Sequence, residues 1–178
     1  MPMLRTGPLT EQPEPQMVAC TSTGFTVFHR AIHLQTEASL QFIDLTETIC
    51  ALVTQSGVEY GMVNIQTRHT TTAVLVNEHE PLLLEDMRRV LARVVPQHDD
   101  YLHNDFERRT INMTPEESPN GHAHCQALFL NSSATLNILH GEPRLGRWQR
   151  IFFVELDHAR LRTVSVMVMG QAASHESD

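Results

Sequence analysis

The chain has 178 residues, of which 41% are hydrophobic and 19% are charged, a composition typical of a soluble globular protein. Its 13 basic and 21 acidic residues give a formal net charge of −8, which disfavours long-range attraction to nucleic acid or an anionic membrane. Neither an apolar run of about 18 residues nor a signal-peptide pattern is present. The three cysteines lack CxxC spacing, which fits a reducing compartment. We therefore expect a cytoplasmic protein with no nucleic-acid or membrane partner.

The order of sequence patterns predicts one domain over residues 24–170, preceded by a proline-containing flexible arm at 1–23 and followed by a polar tail at 171–178. Apolar periodicity predicts strands and two principal helices. The strands are expected at 24–36, 60–68, 72–77, 133–140, 147–156 and 160–169, and the helices at 44–56 and 81–95. A polar loop spans 96–121, and 124–130 is either a short helix or a strand. This segregation predicts an α+β fold with mainly antiparallel sheets.

Three histidines lie in polar segments: His69 at the end of a predicted strand, His103 in the long loop, and His124 after it. Neutral imidazole is the commonest protein metal ligand, and an open zinc site takes three protein ligands. The three histidines therefore suffice for a catalytic or anion-binding centre. Alternatively, His69 is an ordinary strand-end histidine. The participation of His122 and Cys125, which neighbour His124, is open.

The pair Asn77–Glu78 follows the next predicted strand. Glu78 is a candidate acid, base or carboxylate that orients an imidazole. The alternative is that this pair complements the start of the helix at 81–95.

The stretch GEPRLGRWQR at 141–150 is a glycine-bounded connection that contains the only tryptophan. Trp148 is a candidate core or subunit-interface residue, and Gln149 is a candidate ligand contact. The arginines of this stretch can bind phosphate, because guanidinium offers a rigid fork to anions. Arginines on such a hairpin also commonly form a solvated face. No P-loop, GxSxG, HExxH or GxGxxG motif is present, which removes several common enzyme classes.

Four segments together resemble one known family. QTRHTTTAVLVNEHE, DDYLHNDF, PNGHAHCQALFLNSSATLNI and GRWQRIFFVELD are similar, in order and spacing, to the YjbQ family, UPF0047. The resemblance extends from about Gly24 to Gly170. It implies an α+β subunit that assembles as a homotrimer.

The resemblance also implies a pocket with His69, His103 and His124 as metal ligands, and it matches the Asn–Glu and Gly-x-Trp-Gln motifs of the family. Candidate catalytic residues are then His69, Asn77, Glu78 and Gln149. Candidate substrate-binding residues are Arg68, Thr70, Thr71, Arg147 and Trp148. The chain departs from the family motif Gly-Thr-Trp-Gln-Gly, because Arg147 and Arg150 replace its Thr and second Gly.

Some similar proteins are named secondary thiamine-phosphate synthases. The implied reaction joins hydroxymethylpyrimidine diphosphate to thiazole phosphate and releases pyrophosphate. Three imidazoles suit Zn²⁺, whereas Mg²⁺ prefers oxygen ligands; Mg²⁺ and Mn²⁺ remain alternatives. The competing hypotheses are a metal-dependent phosphoester hydrolase and a non-catalytic trimer that binds a metal or an anion.

Overall fold

The computed structural model describes residues 24–172, so the predicted arm at 1–23 and residues 173–178 of the predicted tail lie outside the described residues. The strands are β1 (Phe25–Gln35), β2 (Gln41–Asp44), β3 (Val58–Thr67), β4 (Thr72–Glu78), β5 (Ser133–Leu139), β6 (Glu142–Pro143), β7 (Gln149–Glu155) and β8 (Leu161–Ala172). The helices are α1 (Thr46–Ser56), α2 (Pro81–Val94) and α3 (Gly121–Ala127), with a 3-10 turn at Leu102–Asn104.

A five-stranded antiparallel sheet has the order β1-β8-β3-β5-β6. In β8 the valines at 164, 166 and 168 are fully buried, and they alternate with more exposed polar and methionine residues, as expected for a strand with one buried face. Gly61 on β3 pairs with Gly170 on β8. A Cβ atom at Gly61 would lie 2.1 Å from the carbonyl oxygen of Met169, so this close approach of two backbones requires glycine.

A three-stranded antiparallel sheet has the order β2-β7-β4, and both faces of β7 are buried. Ile151 and Phe153 pack into the core between the two sheets, and side chains of α1 pack into the same core. Phe152 and Val154 point the other way, into a second core that includes Leu84 of α2 and Ala123 of α3. The domain therefore has three layers: the larger sheet, the smaller sheet, and the helices α2 and α3.

Local sequence explains where the two long helices begin. Glu80 caps α2 by accepting hydrogen bonds from the backbone N–H groups of Leu82 and Leu83, and Pro81 occupies the first helical position, where proline is favoured. α1 begins at Thr46, two residues after the predicted start. Asp44 instead ends β2 and accepts a hydrogen bond from the Thr46 N–H at 2.9 Å.

The α+β fold with mainly antiparallel sheets agrees with the prediction, and so does the presence of two long helices. The ambiguous segment near His124 is helical, so His122 and His124 do not share a face as they would in a strand. Strand β8 continues to Ala172, into the first two residues of the predicted tail. None of the helices within residues 24–172 is long and apolar enough to span a bilayer.

Candidate functional site

A cavity of about 450 Å³ brings together residues from four parts of the chain. The β3–β4 connection supplies His69, Thr70 and Thr71, and the long loop and α3 supply two more histidines. The start of β8 adds arginines to the wall. We call this the histidine–arginine cavity, and its lining is His69, Thr70, Thr71, His103, Arg109, Asn112, Glu117, Asn120, His124, Arg160 and Arg162.

His69 is oriented by the backbone of β8. Its Nε2 accepts a hydrogen bond from the Thr163 N–H at 2.8 Å, so the neutral ring carries its proton on Nδ1. Burial lowers the pKa of His69 below its ordinary value, and the positive charge of Arg162 lowers this pKa further. At neutral pH His69 is therefore a neutral hydrogen-bond donor through Nδ1.

His103 and His124 form a pair, with ring centroids 4.6 Å apart. Glycine at position 121 lets the start of α3 pack against Tyr101, just before the 3-10 turn, because a Cβ atom there would lie 2.5 Å from Cβ of Tyr101. The Asn104 side chain also accepts a hydrogen bond from the Gly121 N–H at 2.9 Å, which joins α3 to the 3-10 turn. Burial lowers the pKa of His124, and the neighbouring His103 lowers this pKa further.

Each arginine of the cavity is held by a carboxylate. Arg109 contacts Glu117 at 3.2 Å, Arg160 contacts Asp157 at 3.2 Å, and Arg162 is bound by two hydrogen bonds to Glu155. These carboxylates neutralise the guanidinium charges. An anion in the cavity would therefore be bound mainly by hydrogen bonds from N–H groups and less by net positive charge.

Arg162 forms part of the cavity wall, but the Arg162–Glu155 pair is almost inaccessible to solvent, with relative exposures of 3% and 0%. Arg162 uses Nε and Nη2 for Glu155 and donates from Nη2 to the Thr71 hydroxyl at 3.1 Å. The third guanidinium nitrogen of Arg162, Nη1, donates to neither Glu155 nor Thr71. Glu155 ends β7 of the smaller sheet and Arg162 lies at the start of β8 of the larger sheet, so strands from both sheets meet at this pair. Thr36 also donates its hydroxyl proton to Glu155 at 2.9 Å.

The other candidate residues of the family motifs lie at the opposite end of the smaller sheet. Glu78 pairs with Gln149 there, whereas Thr72 at the other end of β4 pairs with Glu155. Thr72 and Glu78 are six residue steps apart along β4, which is about 20 Å at ~3.3 Å per step. Within one subunit the structure thus does not bring Asn77, Glu78 and Gln149 to the histidine–arginine cavity.

At that far end, local contacts account for several polar groups. Asn77 accepts from the Glu78 N–H at 2.9 Å, and Gln149 accepts from the Gly146 N–H at 2.7 Å. Trp148 is 61% exposed, and the Arg147 guanidinium lies 4.6 Å from its ring centroid. His122 and Cys125 do not line the histidine–arginine cavity.

The implied three-histidine metal centre requires a lone pair from each ring. His103 and His124 form a pair in the cavity, but the Nε2 lone pair of His69 is engaged with Thr163. Within residues 24–172, no group of three or more histidine, cysteine, aspartate or glutamate side chains converges on a position that could hold a metal ion. As arranged, these residues do not fit that centre, because His69 would first have to release Thr163.

The sequence patterns did not reveal the charged groups that complete the cavity. Glu155 and Arg162 lie in predicted strands among apolar residues, and a charged residue at such a position signals a buried pair. Arg109, Glu117 and Asn120 lie in or at the end of the long polar loop, where nothing distinguishes them from solvated residues.

Comparison with known proteins is consistent with this architecture. Residues 30–171 match the family profile described as "UPF0047 protein YjbQ-like". A UPF0047 protein of Methanothermobacter thermautotrophicus is 33% identical over 145 residues, which cover 82% of this chain and 94% of that protein. The UPF0047 protein YugU of Bacillus subtilis is 28% identical over 142 residues, covering 79% and 98%.

Solved structures give the same result. A YbjQ-like protein of unknown function from Sulfolobus solfataricus superposes with a TM-score of 0.73 at 30% identity, covering 83% of this chain and 99% of that chain. A yjbq/upf0047 family protein from Clostridium acetobutylicum has a TM-score of 0.68 at 33% identity, covering 78% and 98%. The fold, the extent of the match and the sequence identity together show that this chain belongs to the YjbQ-like UPF0047 family.

Proposed function

We propose that the histidine–arginine cavity binds a small phosphorylated molecule, and that the protein is a transferase whose reaction resembles that of thiamine-phosphate synthase. The observation that carries this proposal is the arrangement of three arginines and three imidazoles around one cavity of about 450 Å³. In the proposed reaction the thiazole nitrogen attacks the methylene carbon of hydroxymethylpyrimidine diphosphate. A C–N bond forms, the C–O bond breaks, and pyrophosphate leaves.

Negative charge collects on the leaving pyrophosphate as the C–O bond breaks, so preoriented N–H donors stabilise the transition state. Arg160 and Arg162 are preoriented by Asp157 and Glu155, and His69 offers its Nδ1–H. The attacking nitrogen carries no proton, so the reaction needs no base at that atom. His69 could not act as that base, because its Nε2 lone pair already accepts a hydrogen bond from the Thr163 N–H. The proposed reaction includes no metal step.

The test is pyrophosphate release from hydroxymethylpyrimidine diphosphate and thiazole phosphate by the purified protein. We expect Arg160→Gln to lower the rate about 100-fold, the typical cost of one transition-state donor. Arg93→Gln, which removes an exposed arginine of α2, is the matched control and should retain the rate. No release by the wild-type protein, or equal rates in both variants, would contradict the proposal.

A phosphoester hydrolase is the second candidate, and the His103–His124 pair favours it. Because burial and His103 both lower the pKa of His124, a neutral imidazole is available to accept a proton from water. Release of phosphate from a panel of phosphoesters, lost in His124→Gln, would favour this activity over transfer.

We also propose that the protein assembles as a homotrimer. The side chains Phe25, Met62 and Met167, on the face of the larger sheet opposite its core, are 47%, 42% and 36% exposed, and Trp148 is 61% exposed. Exposed apolar groups of this size are typical of subunit contacts. Light scattering on the purified protein should give three times the subunit mass of 20.2 kDa, and a monomer would contradict this proposal.

A further inference from the structure

A second cavity, of about 500 Å³, adjoins the histidine–arginine cavity, because His69 and Thr70 line both. Its other walls come from the end of β3 and from the segment that joins α3 to β5. We call it the Arg68 cavity, and its remaining lining is Gln66, Thr67, Arg68, Thr72, Ala127, Leu130 and Ser132.

Arg68 distinguishes this cavity electrostatically from its neighbour. Among the described residues Arg68 makes no ion pair, whereas Arg109, Arg160 and Arg162 are each paired with a carboxylate. An exposed guanidinium without a counter-charge can accept one anionic group without giving up an existing partner.

The remaining walls are suited to a small, partly apolar ligand. Leu130 and Ala127 supply apolar surface, and Gln66 and Ser132 supply hydrogen-bonding groups. Such a mixture of apolar surface and a few polar groups is typical of sites for small organic molecules.

We propose that the Arg68 cavity is a second ligand subsite, which takes a small aromatic molecule carrying a single phosphate or similar anionic group. This ligand binds at the same time as the anion in the histidine–arginine cavity, with His69 and Thr70 between the two. The assignment of this ligand as the acceptor of the transferred group rests on the proposed transferase function. The binding of the ligand in the Arg68 cavity does not depend on that function.

Phenyl phosphate and inorganic pyrophosphate serve as probes of the two cavities, measured by calorimetry on the full chain. We expect phenyl phosphate to bind to protein saturated with pyrophosphate, with its Kd changed by less than about twofold. Arg68→Gln should raise the Kd of phenyl phosphate about tenfold or more, as expected for the loss of a charge-assisted contact. The same variant should leave the Kd of pyrophosphate within about twofold.

Two further variants make the assignment specific. Arg160→Gln should weaken pyrophosphate and spare phenyl phosphate, and the control Arg93→Gln should affect neither. In NMR spectra, phenyl phosphate should shift the amide signals of Leu130 and Ser132.

Failure to bind phenyl phosphate, competition between the two probes, or an equal effect of Arg68→Gln on both would overturn the second subsite. If both probes bind as expected but no transfer occurs, the subsite stands and the transferase function falls. If transfer occurs while the probes compete, the function stands and the second subsite falls.

Discussion

The buried pair of Glu155 and Arg162 allows stability and ligand binding to be separated. Glu155→Gln removes the carboxylate that accepts two hydrogen bonds from Arg162. The two side chains are only 4% (Arg162) and 0% (Glu155) exposed. The guanidinium then remains buried without its counter-charge. Breaking a buried pair in this way costs about 3–5 kcal/mol in the free energy of unfolding.

A double variant, Glu155→Leu with Arg162→Met, removes both charges and replaces them with apolar side chains of similar length. Such replacements are often close to neutral. Here the Asp157 N–H, which donates to Glu155 at 3.0 Å, loses its acceptor, at a cost of about 1–3 kcal/mol. We therefore expect the double variant to be more stable than Glu155→Gln, yet to lose pyrophosphate binding because Arg162 is gone from the cavity.

Urea unfolding followed by circular dichroism at pH 7 gives the stabilities, and calorimetry gives pyrophosphate affinity. A cost of Glu155→Gln below about 1 kcal/mol, or a double variant less stable than Glu155→Gln, would refute the expected penalty for leaving Arg162 unpaired. Pyrophosphate affinity equal to wild type in the double variant would refute the role of Arg162 in binding.

Local contacts of Asp44, Gly61 and His69 can each be tested separately. Burial alone would raise the pKa of Asp44, but hydrogen bonds, first from Thr46 and then from Arg150 and His79, outweigh it and lower the pKa from 3.8 to about 2. The resulting stabilisation of about 2 kcal/mol is complete above pH 3.8 and lost as the pH falls towards 2, so Asp44→Asn should lose it at pH 7 in urea unfolding. Gly61→Ala should destabilise the fold by about 1–3 kcal/mol or more, measured likewise, because its Cβ would meet the Met169 carbonyl at 2.1 Å. One equivalent of Zn²⁺ should leave the NMR amide signal of Thr163 in place, because His69 remains bonded to it.

Each of these predictions has its own control. An Asp44→Asn protein whose stability follows the wild-type pH curve would show that the carboxylate contributes nothing. Gly146→Ala is the control for Gly61→Ala, because its Cβ would meet only the end of the flexible Gln149 side chain, at 3.2 Å. A Zn²⁺-dependent shift of the Thr163 amide that disappears in His69→Ala would demonstrate that His69 turns towards an ion.

The long elements of the fold were predictable because their patterns are strong. Alternation predicts β3 and β8, and the apolar stripe after Pro81 predicts α2, each within a few residues of its observed bounds. β2 and β6 were missed because four and two residues are too few to show a period. Helix α3 carries polar histidines after a glycine, so the apolar pattern could not separate a helix from a strand.

The candidate site was only partly predictable for a different reason. Residue chemistry and spacing drew attention to His69, His103 and His124, which the structure places in one cavity. Each carboxylate that holds an arginine lies within eight residues of it in the sequence. Glu117 nevertheless lies in a polar loop and Glu155 lies inside a strand, so the sequence pattern does not show that these residues form ion pairs. The separation of Gln149 from the cavity depends on strand direction and register.

The length of β4 has a consequence for how this protein can vary. The two arginines that depart from the family motif, Arg147 and Arg150, lie at or near the Glu78 end of the smaller sheet, about six strand residues from Thr72. At roughly 20 Å, substitutions at the two ends share no side-chain partners, and their energetic effects should add independently. Selection can therefore remodel the exposed turn around Trp148 while the histidine–arginine cavity keeps its geometry.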